Sequence, residues 1–552
     1  MTAARRAAAL TALVVGLALV PGPVAARPGP APDPSPYLVN FAPQVPGPPQ
    51  WVVGGYQVHY AHAREIGAHA VFVSAAWSDL EKTPGSVDFS GLDDVVASAH
   101  TEHVDLVIML QSTGEWSANT PAIVAATGGR RTNSLHPSPF AASAAPMNID
   151  AALPVWTAMV ARYHAGGVLA HERGWKDGWG VSEYAVENEP DFSGWPGGSW
   201  ALFAKDYALF LSHLRHAVRA VDPRIRLVAP ELSGVDADPV GAIPNSNLGF
   251  LRSLLSSEPA SAQWGSDQYR ATLAAGHRPI GAGPFIDVYS FHCDFAAGDA
   301  GALAHRAASV RAVIQGFARQ RTDPTPAHPE LWCTEGAATS YDSSDDSKKY
   351  RFAWAQLQFA AELLGAGVQR VNYDLGLEGG DTGATWQADP IRPATEALTT
   401  YFPSGRGVVG IGAQLTKAAG KGVEGSRWVD PRTGLAATIV WAINTGVAGA
   451  SAGPFTVRVP VATRTAVVVN PNDWSRHTVA AHDGHIALTI ASGDPSAPWI
   501  VAELGSAGGN GTSVGSGTAA GAGLAATGGA SGAALLALVL LAPAVARRRR
   551  RS

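Results

Sequence analysis

Two acidic segments stand out by what surrounds them. Tyr184-Ala185-Val186-Glu187-Asn188-Glu189-Pro190 and Leu331-Trp332-Cys333-Thr334-Glu335-Gly336 each carry a carboxylate just after a short apolar run and just before Pro or Gly. In a parallel barrel that is where the strand leaves its apolar layer and the site opens. Two such groups on different strands can flank one bond, one holding a proton and the other ionised, as cleavage of a glycosidic bond requires. A lone Glu after a strand is more often an exposed loop residue, so it is the pair that points to chemistry.

Other residues near these segments have chemistry to offer. His292 follows the apolar run Val288-Tyr289-Ser290-Phe291, and Glu231 follows another in Ala229-Pro230-Glu231-Leu232. Glu231 is balanced between a site-wall role and a structural one. Glu187 competes with Glu189, because strand alternation puts both on one face. Trp77, Trp116 and Trp386 are candidate sugar platforms, with burial in the core as the alternative. Cys293 and Cys333 are the only cysteines, too few for a disulfide framework or a cysteine metal site. If His292 and Glu335 both point inward, alternation sends Cys293 outward and Cys333 inward, which predicts two free thiols.

The elements that must position these residues alternate in kind. Strand-like runs occur at Tyr37–Phe41, Ala70–Ser74, Leu106–Leu110, Tyr184–Val186, Ile225–Ala229, Ile286–Phe291, Glu330–Cys333 and Val368–Tyr373. Helical stretches such as Ala151–Glu172, Trp200–Val221, Ala302–Arg319 and Lys348–Leu364 lie between several of them. Eight strands separated by helices predict an α/β fold, a (β/α)8 TIM barrel over residues 37–403. No Gly-rich phosphate loop follows the first strand, which disfavours a doubly wound sheet. After Pro403 the rhythm changes to short strands, Thr438–Ala442, Phe455–Val459, Thr465–Asn470, Ile486–Ile490 and Trp499–Glu503, with no convincing helix. This predicts a small β-sandwich over 404–504, with His482-Asp483-Gly484-His485 as a hairpin turn.

The two acidic segments resemble clan A of the glycoside hydrolases, in which an Asn-Glu pair ends the fourth strand and the nucleophile Glu ends the seventh. Asn188-Glu189-Pro190 matches the first motif and Thr334-Glu335-Gly336 the second. The layout Gly67-Ala68, Val71-Phe72-Val73, Trp77, Pro84-Gly85, Val87-Asp88-Phe89 and Leu92-Asp93 is similar to that of family 39 enzymes among others. The resemblance covers roughly residues 37–403 and implies a retaining, cofactor-free and metal-independent glycosidase. Glu189 would be the general acid/base, Glu335 the nucleophile, and Asn188 the partner of the hydroxyl beside the anomeric carbon. It further implies a site role for His292. Clan members frequently carry a Tyr two residues later that holds the nucleophile; here Asp294 stands there, and Tyr289 or Tyr373 is a candidate replacement. A competing expectation is a wall-displayed carbohydrate-binding or adhesive protein on a barrel without catalysis.

Both ends read as export signals. Arg5 and Arg6 precede an apolar run to Val20, a Pro21-Gly22-Pro23 break and Val24-Ala25-Ala26, the three parts of a signal peptide over 1–26. A Pro-rich leader covers 27–36, and a Gly/Ser/Ala linker covers 505–523. Leu524-Ala525-Ala526-Thr527-Gly528, an apolar stretch from Ala533 to Ala546 and Arg547–Arg551 follow. That order, over 524–552, resembles a sortase cell-wall sorting signal, with Leu-Ala-Ala-Thr-Gly standing where Leu-Pro-x-Thr-Gly is commoner. It implies cleavage between Thr527 and Gly528, transfer to the peptidoglycan of a Gram-positive-type bacterium, and only transient membrane contact. Loss of both ends removes seven Arg and no acids, leaving 33 basic residues against 45 acidic ones, a formal charge of −12. An acidic exported surface argues against nucleic acid as a partner and is compatible with a carbohydrate substrate. The segment Ser112–Asn148, rich in Ala, Ser, Pro and Thr, is expected to roof one side of the cleft.

Overall fold

Short runs of β-branched and apolar residues form strands where both faces can be buried, as they are in a parallel sheet covered by helices. The computed structural model describes residues 37–40, 60, 63–64, 67–68, 70–81, 85–111, 149–191, 200–233, 247–256, 281–293, 302–318, 329–336, 346–372, 391–404, 406–419, 422–443, 455–490 and 497–505. The strands of its first part are β1 (Tyr37–Asn40), β2 (Ala70–Ala76), β3 (Asp105–Gln111), β4 (Glu183–Val186), β5 (Arg226–Leu232), β6 (Val288–His292), β7 (Glu330–Glu335) and β8 (Arg370–Asn372). Each pairs in parallel with the next. Leu38 of β1 stands opposite Asn372 of β8, so the sheet closes as a barrel. Helices Ser90–Thr101, Ile149–Tyr163, Trp200–Val221, Asn247–Leu255, Ala302–Ala318 and Asp346–Gly365 lie between successive strands. The mixed α/β, TIM-like architecture expected from the alternating runs is present.

Alternation divides each strand between two cores. Phe72, Val107, Met109, Ala185, Val228, Val288 and Trp332 pack together as one buried cluster, the barrel interior. Their neighbours Val71, Leu106, Ile108, Tyr184, Leu227, Tyr289 and Leu331 join the larger cluster shared with the helices. At the N-terminal end of the barrel, four inward positions are charged. Arg226 lies 2.8 Å from Glu183 and 2.5 Å from Glu330, and Arg370 lies 2.5 Å from Glu183. Both guanidinium groups stand over the Trp332 ring, at 5.8 and 4.5 Å. Two acids and two bases thus compensate one another at the barrel floor, as buried charges must.

The second part contains β9 (Val408–Gly410), β10 (Val423–Val429), β11 (Ala436–Ala442), β12 (Phe455–Pro460), β13 (Thr465–Val469), β14 (Arg476–Ala480), β15 (His485–Ile490) and β16 (Trp499–Glu503). Six of them form an antiparallel sheet in the order β14-β13-β16-β11-β10-β9, and β12 pairs with β15. Val440, Val501, Val457, Val459, Ile486 and Leu488 from both sheets share one apolar core. Asp483 and Gly484 take positive φ values of 50° and 70° between His482 and His485, the geometry of a tight hairpin turn, as expected there. One expectation fails. Helix Gly412–Ala419 stands where only strands were foreseen. Ile411 and Leu415, four apart, put one apolar turn into the core, too brief a period to register against the surrounding alternation.

Barrel and sheets belong to one compact unit that ends at Gly505. Ser426 of β10 donates to the Ala361 carbonyl at 2.6 Å and the Trp354 indole to the Pro471 carbonyl at 3.0 Å. Trp441 and Ile500 are part of the same apolar cluster as the barrel helices. The expected signal peptide, leader and roofing segment Ser112–Asn148 lie outside the described residues, as do Thr527, Gly528 and the rest of the sorting signal. Among the described residues no helix is long and apolar enough to cross a membrane.

Candidate active site

Strict alternation would bring few carboxylates together at the barrel mouth. Local irregularities do it instead. Glu187 and Glu189, just past β4, have positive φ values of 61° and 48°, and Glu231 on β5 has 54°. The left-handed region is uncommon for a residue with a side chain and costs on the order of 1–3 kcal/mol at each position. In addition, β5 carries an extra residue between Ala229 and Leu232 against β6, and β7 carries one between Cys333 and Glu335. Such bulges re-aim side chains at the ends of strands. Backbone contacts hold the strained residues. Glu187 N–H donates to the Leu110 carbonyl at 2.8 Å, Glu189 N–H to the Glu231 carbonyl at 3.1 Å, and Glu231 N–H to Ser290 Oγ at 3.0 Å. A Cβ at Gly336 would stand 3.0 Å from the backbone carbon of Cys293, so glycine after Glu335 permits β6 and β7 to approach closely.

The result is a cluster around His292. Its Nδ1 lies 2.9 Å from Glu189 Oε1 and 3.7 Å from Glu335 Oε2, while its Nε2 lies 3.6 Å from Glu231 Oε2. The imidazole is only 2% exposed, whereas the side chains of Glu189 and Glu335 are 24% and 40% exposed. Burial opposes charge on the ring, but the carboxylates of Glu189, Glu231 and Glu335 outweigh it and hold its pKa well above the usual 6.5. Glu187 is fully buried, so Glu189 and not Glu187 reaches the cleft. Glu189, His292 and Glu335 offer ligand atoms all within 4.8 Å of one another, the one such group among the described residues that a cation could use.

The floor of the site was less visible in the sequence. Glu231 is fully buried and accepts a hydrogen bond from the Thr334 hydroxyl. Asn372 Nδ2 donates to the Thr334 carbonyl at 2.5 Å. Asp191 accepts from Ser233 N–H at 2.8 Å and Asn247 Nδ2 at 2.6 Å, fastening the segment after Glu189 to the end of β5. Burial pushes its carboxyl up to about 6, against the hydrogen bonds it accepts. Asn188 is half-buried beside Glu189, and its side-chain oxygen has no protein partner among the described residues. The signal for Glu231 was available: Ala229-Pro230-Glu231 has the same form, apolar strand then carboxylate beside Pro, as the segment that ends in Glu189.

Three sequence expectations need correction. Cys293 and Cys333 are joined as a disulfide, with Cα atoms 6.0 Å apart. The expectation of free thiols assumed strict alternation from Glu335 back to Cys333; the bulge between them breaks it, and both sulfurs lie on the outer side of the barrel. Trp77 is buried, packs edge-on against Trp156 at 6.4 Å and donates its indole N–H to Glu81 at 2.5 Å, which leaves no ring face for a sugar. Tyr289 lies with Phe291 on the outer face of β6, away from His292 and the nucleophile candidate. Trp116, Tyr373 and Trp386 lie outside the described residues.

The fold and site define a parallel α/β barrel with a carboxylate–imidazole cluster at the C-terminal ends of its strands. No protein-family model matches the chain, and no curated protein matches it in sequence. Solved structures similar to it include a family 39 glycoside hydrolase from the gut symbiont Bacteroides cellulosilyticus WH2, with 14% identity over 85% of this chain and 81% of that one and a TM-score of 0.47. A monomeric beta-xylosidase from Caulobacter crescentus CB15 has 11% identity over 86% of this chain and 98% of that one, with a TM-score of 0.46. A family 30 subfamily 8 xylanase from Clostridium acetobutylicum has 10% identity over 86% and 97%, with a TM-score of 0.47. Likeness at this level identifies neither a family nor an activity for this chain.

Proposed function

We propose that the protein is a retaining glycoside hydrolase that cleaves O-glycosidic bonds of extracellular poly- or oligosaccharides while anchored to the cell wall. The observation that carries this reading is the approach of Glu189 and Glu335, whose carboxylate oxygens lie, with a His292 nitrogen, within 4.8 Å of one another. Retaining enzymes need their two carboxyl groups about 5–5.5 Å apart, whereas inverting ones leave roughly 6.5–9.5 Å for a water between them.

In the first step Glu335 attacks the anomeric carbon and forms a new carbon–oxygen bond. The glycosidic bond breaks, and the departing oxygen takes the proton of Glu189. As Glu189 becomes ionised, Nδ1 of His292 stands 2.9 Å from its Oε1, where a cationic ring donates to it. In the second step Glu189 removes a proton from water, whose oxygen attacks the same carbon, and Glu335 departs as a carboxylate. Asn188, with an unused acceptor oxygen, is the candidate partner for the hydroxyl beside the anomeric carbon. The double displacement needs no metal or organic cofactor. Wall attachment rests on the two terminal signals, with Thr527 as the residue transferred to peptidoglycan.

The test is a panel of aryl glycosides offered to the intact protein and to Glu335→Ala. Turnover by the first and its loss in the second supports the reading. Hydrolysis unchanged by the substitution overturns it, and glycan binding without turnover in both favours a display protein instead. For the anchor, Thr527→Ala is expected to release the chain from the wall fraction into the medium.

A further inference from the structure

Glu231 is a fully buried carboxylate that faces His292 and has no part in the double displacement. Its position is built at some cost. It lies within the β5 bulge in a left-handed conformation, held by Ser290 at its N–H and by Glu189 N–H at its carbonyl. Side chain and backbone then act on the same neighbours. The carboxylate stands 3.6 Å from Nε2 of His292 and takes the Thr334 hydroxyl, while the carbonyl holds the backbone of Glu189. His292 has a second nitrogen, and that one faces Glu189 and Glu335. An imidazole between two acceptors is set by whichever keeps its proton more firmly, and an orienting carboxylate behind the ring fixes which nitrogen does the work in front.

We propose that Glu231 is a positioning residue for the glycosidase site: it holds a proton on Nε2 of His292 and keeps the ring cationic, so that Nδ1 always presents a donor to Glu189 and Glu335. This rests on the reading of Glu189 and Glu335 as the reacting pair. The consequence is mechanistic. A fixed donor at Nδ1 stabilises ionised Glu335 before attack and ionised Glu189 after proton transfer. A neutral ring with its proton on Nε2 would instead turn a lone pair towards both carboxylates. Among the described residues, the charged groups that face the ring are Glu189 just past β4, Glu231 from β5 and Glu335 from β7, with Asp191 contributing its charge from further off. The raised pKa of the ring agrees with this arrangement.

The experiment follows the two ring nitrogens of His292 by nitrogen-15 NMR against pH in the full chain, in Glu231→Gln and in Glu231→Asp, together with the pH profile of kcat/KM on an aryl glycoside. Glu231→Gln keeps the shape and removes the charge. Its ring is expected to lose the proton about 1–3 pH units lower than in the unaltered protein. The upper limb of the kcat/KM profile should move with it, and kcat should fall about 10²-fold. Glu231→Asp, which keeps the charge, should restore most of the titration. An unchanged His292 titration in Glu231→Gln overturns the proposal, and so does a shifted titration with an unmoved profile. Failure of the glycosidase reading would show differently, as absence of turnover in the unaltered protein, while the titration would still report on the Glu231–His292 pair. Unfolding curves taken alongside show whether Glu231→Gln is folded; if it is not, Glu231→Asp carries the comparison, and a titration there equal to that of an unfolded His overturns the proposal.

Discussion

Cys293 and Cys333 are joined across the C-terminal ends of β6 and β7, one residue beyond His292 and two before Glu335. The link therefore ties together the two strand ends that carry the imidazole and the proposed nucleophile. It closes a loop with a sequence separation of 40, for which chain entropy gives about 4 kcal/mol of stabilisation. Replacement of both cysteines by Ala should lower the denaturation free energy by roughly that amount, read from urea unfolding. Unchanged stability would mean that the two sulfurs are not bonded in the protein.

Trp77 gives a second prediction, because its burial replaces the sugar-platform expectation. Trp77→Phe keeps most of the apolar volume but leaves the buried Glu81 carboxylate without the indole donor. Loss of one hydrogen bond to a buried carboxylate costs about 1–3 kcal/mol. The loss should appear in thermal or denaturant unfolding, with KM unaffected. A rise in KM at constant stability would restore Trp77 to the substrate site.

Glu187 and Glu189 can be separated by leaving-group dependence. Glu189→Gln should reduce kcat/KM by about 10²–10⁴ for substrates whose leaving groups need protonation, and much less for activated aryl glycosides. Glu187→Gln should leave the ratio between the two substrate types unchanged, since Glu187 lies fully buried beneath the cleft. The opposite pattern would exchange the two assignments.

Stability against pH offers a test away from catalysis. Burial pushes Asp191 up to about 6 and Glu362 up to about 7, the latter with help from the charge of Glu424. Both therefore hold protons in the folded protein that the unfolded chain releases from about pH 4 upward. Their contribution favours folding at low pH and is lost as pH rises, through about 6 for Asp191 and about 7 for Glu362. Asp191→Asn and Glu362→Gln should each flatten the decline of stability between pH 4 and 7. An unchanged slope in both variants would show that these carboxyls titrate normally.

The barrel was legible in the sequence because its signal is long range: eight apolar runs, with helical periodicity between several of them. Glu189, Glu335 and His292 were legible for a related reason, each standing just beyond an apolar strand. What escaped was local. The extra residue at Thr334 puts Glu335 out of alternation with Cys333, so counting back from Glu335 misplaces the cysteine, and the bulge before Leu232 turns Glu231 inward. Alternation counts residues and has no means of registering one that is inserted. Glu187 and Glu189 have the same parity, yet beyond β4 both leave extended backbone for left-handed conformations, where parity no longer assigns faces, and only Glu187 is fully buried. Trp77 shows the converse limit, since a tryptophan beside a strand end reads equally as platform or core until Trp156 is seen against it.

As the proposed nucleophile, Glu335 forms a covalent bond to the sugar during turnover. The direct measurement is to incubate the protein with a mechanism-based glycosyl label, digest it and locate the added mass by mass spectrometry. One labelled peptide is expected, modified at Glu335, with no label in Glu335→Ala. A label on Glu189 or Glu231, or turnover of the same sugar with no covalent adduct at any residue, would contradict it.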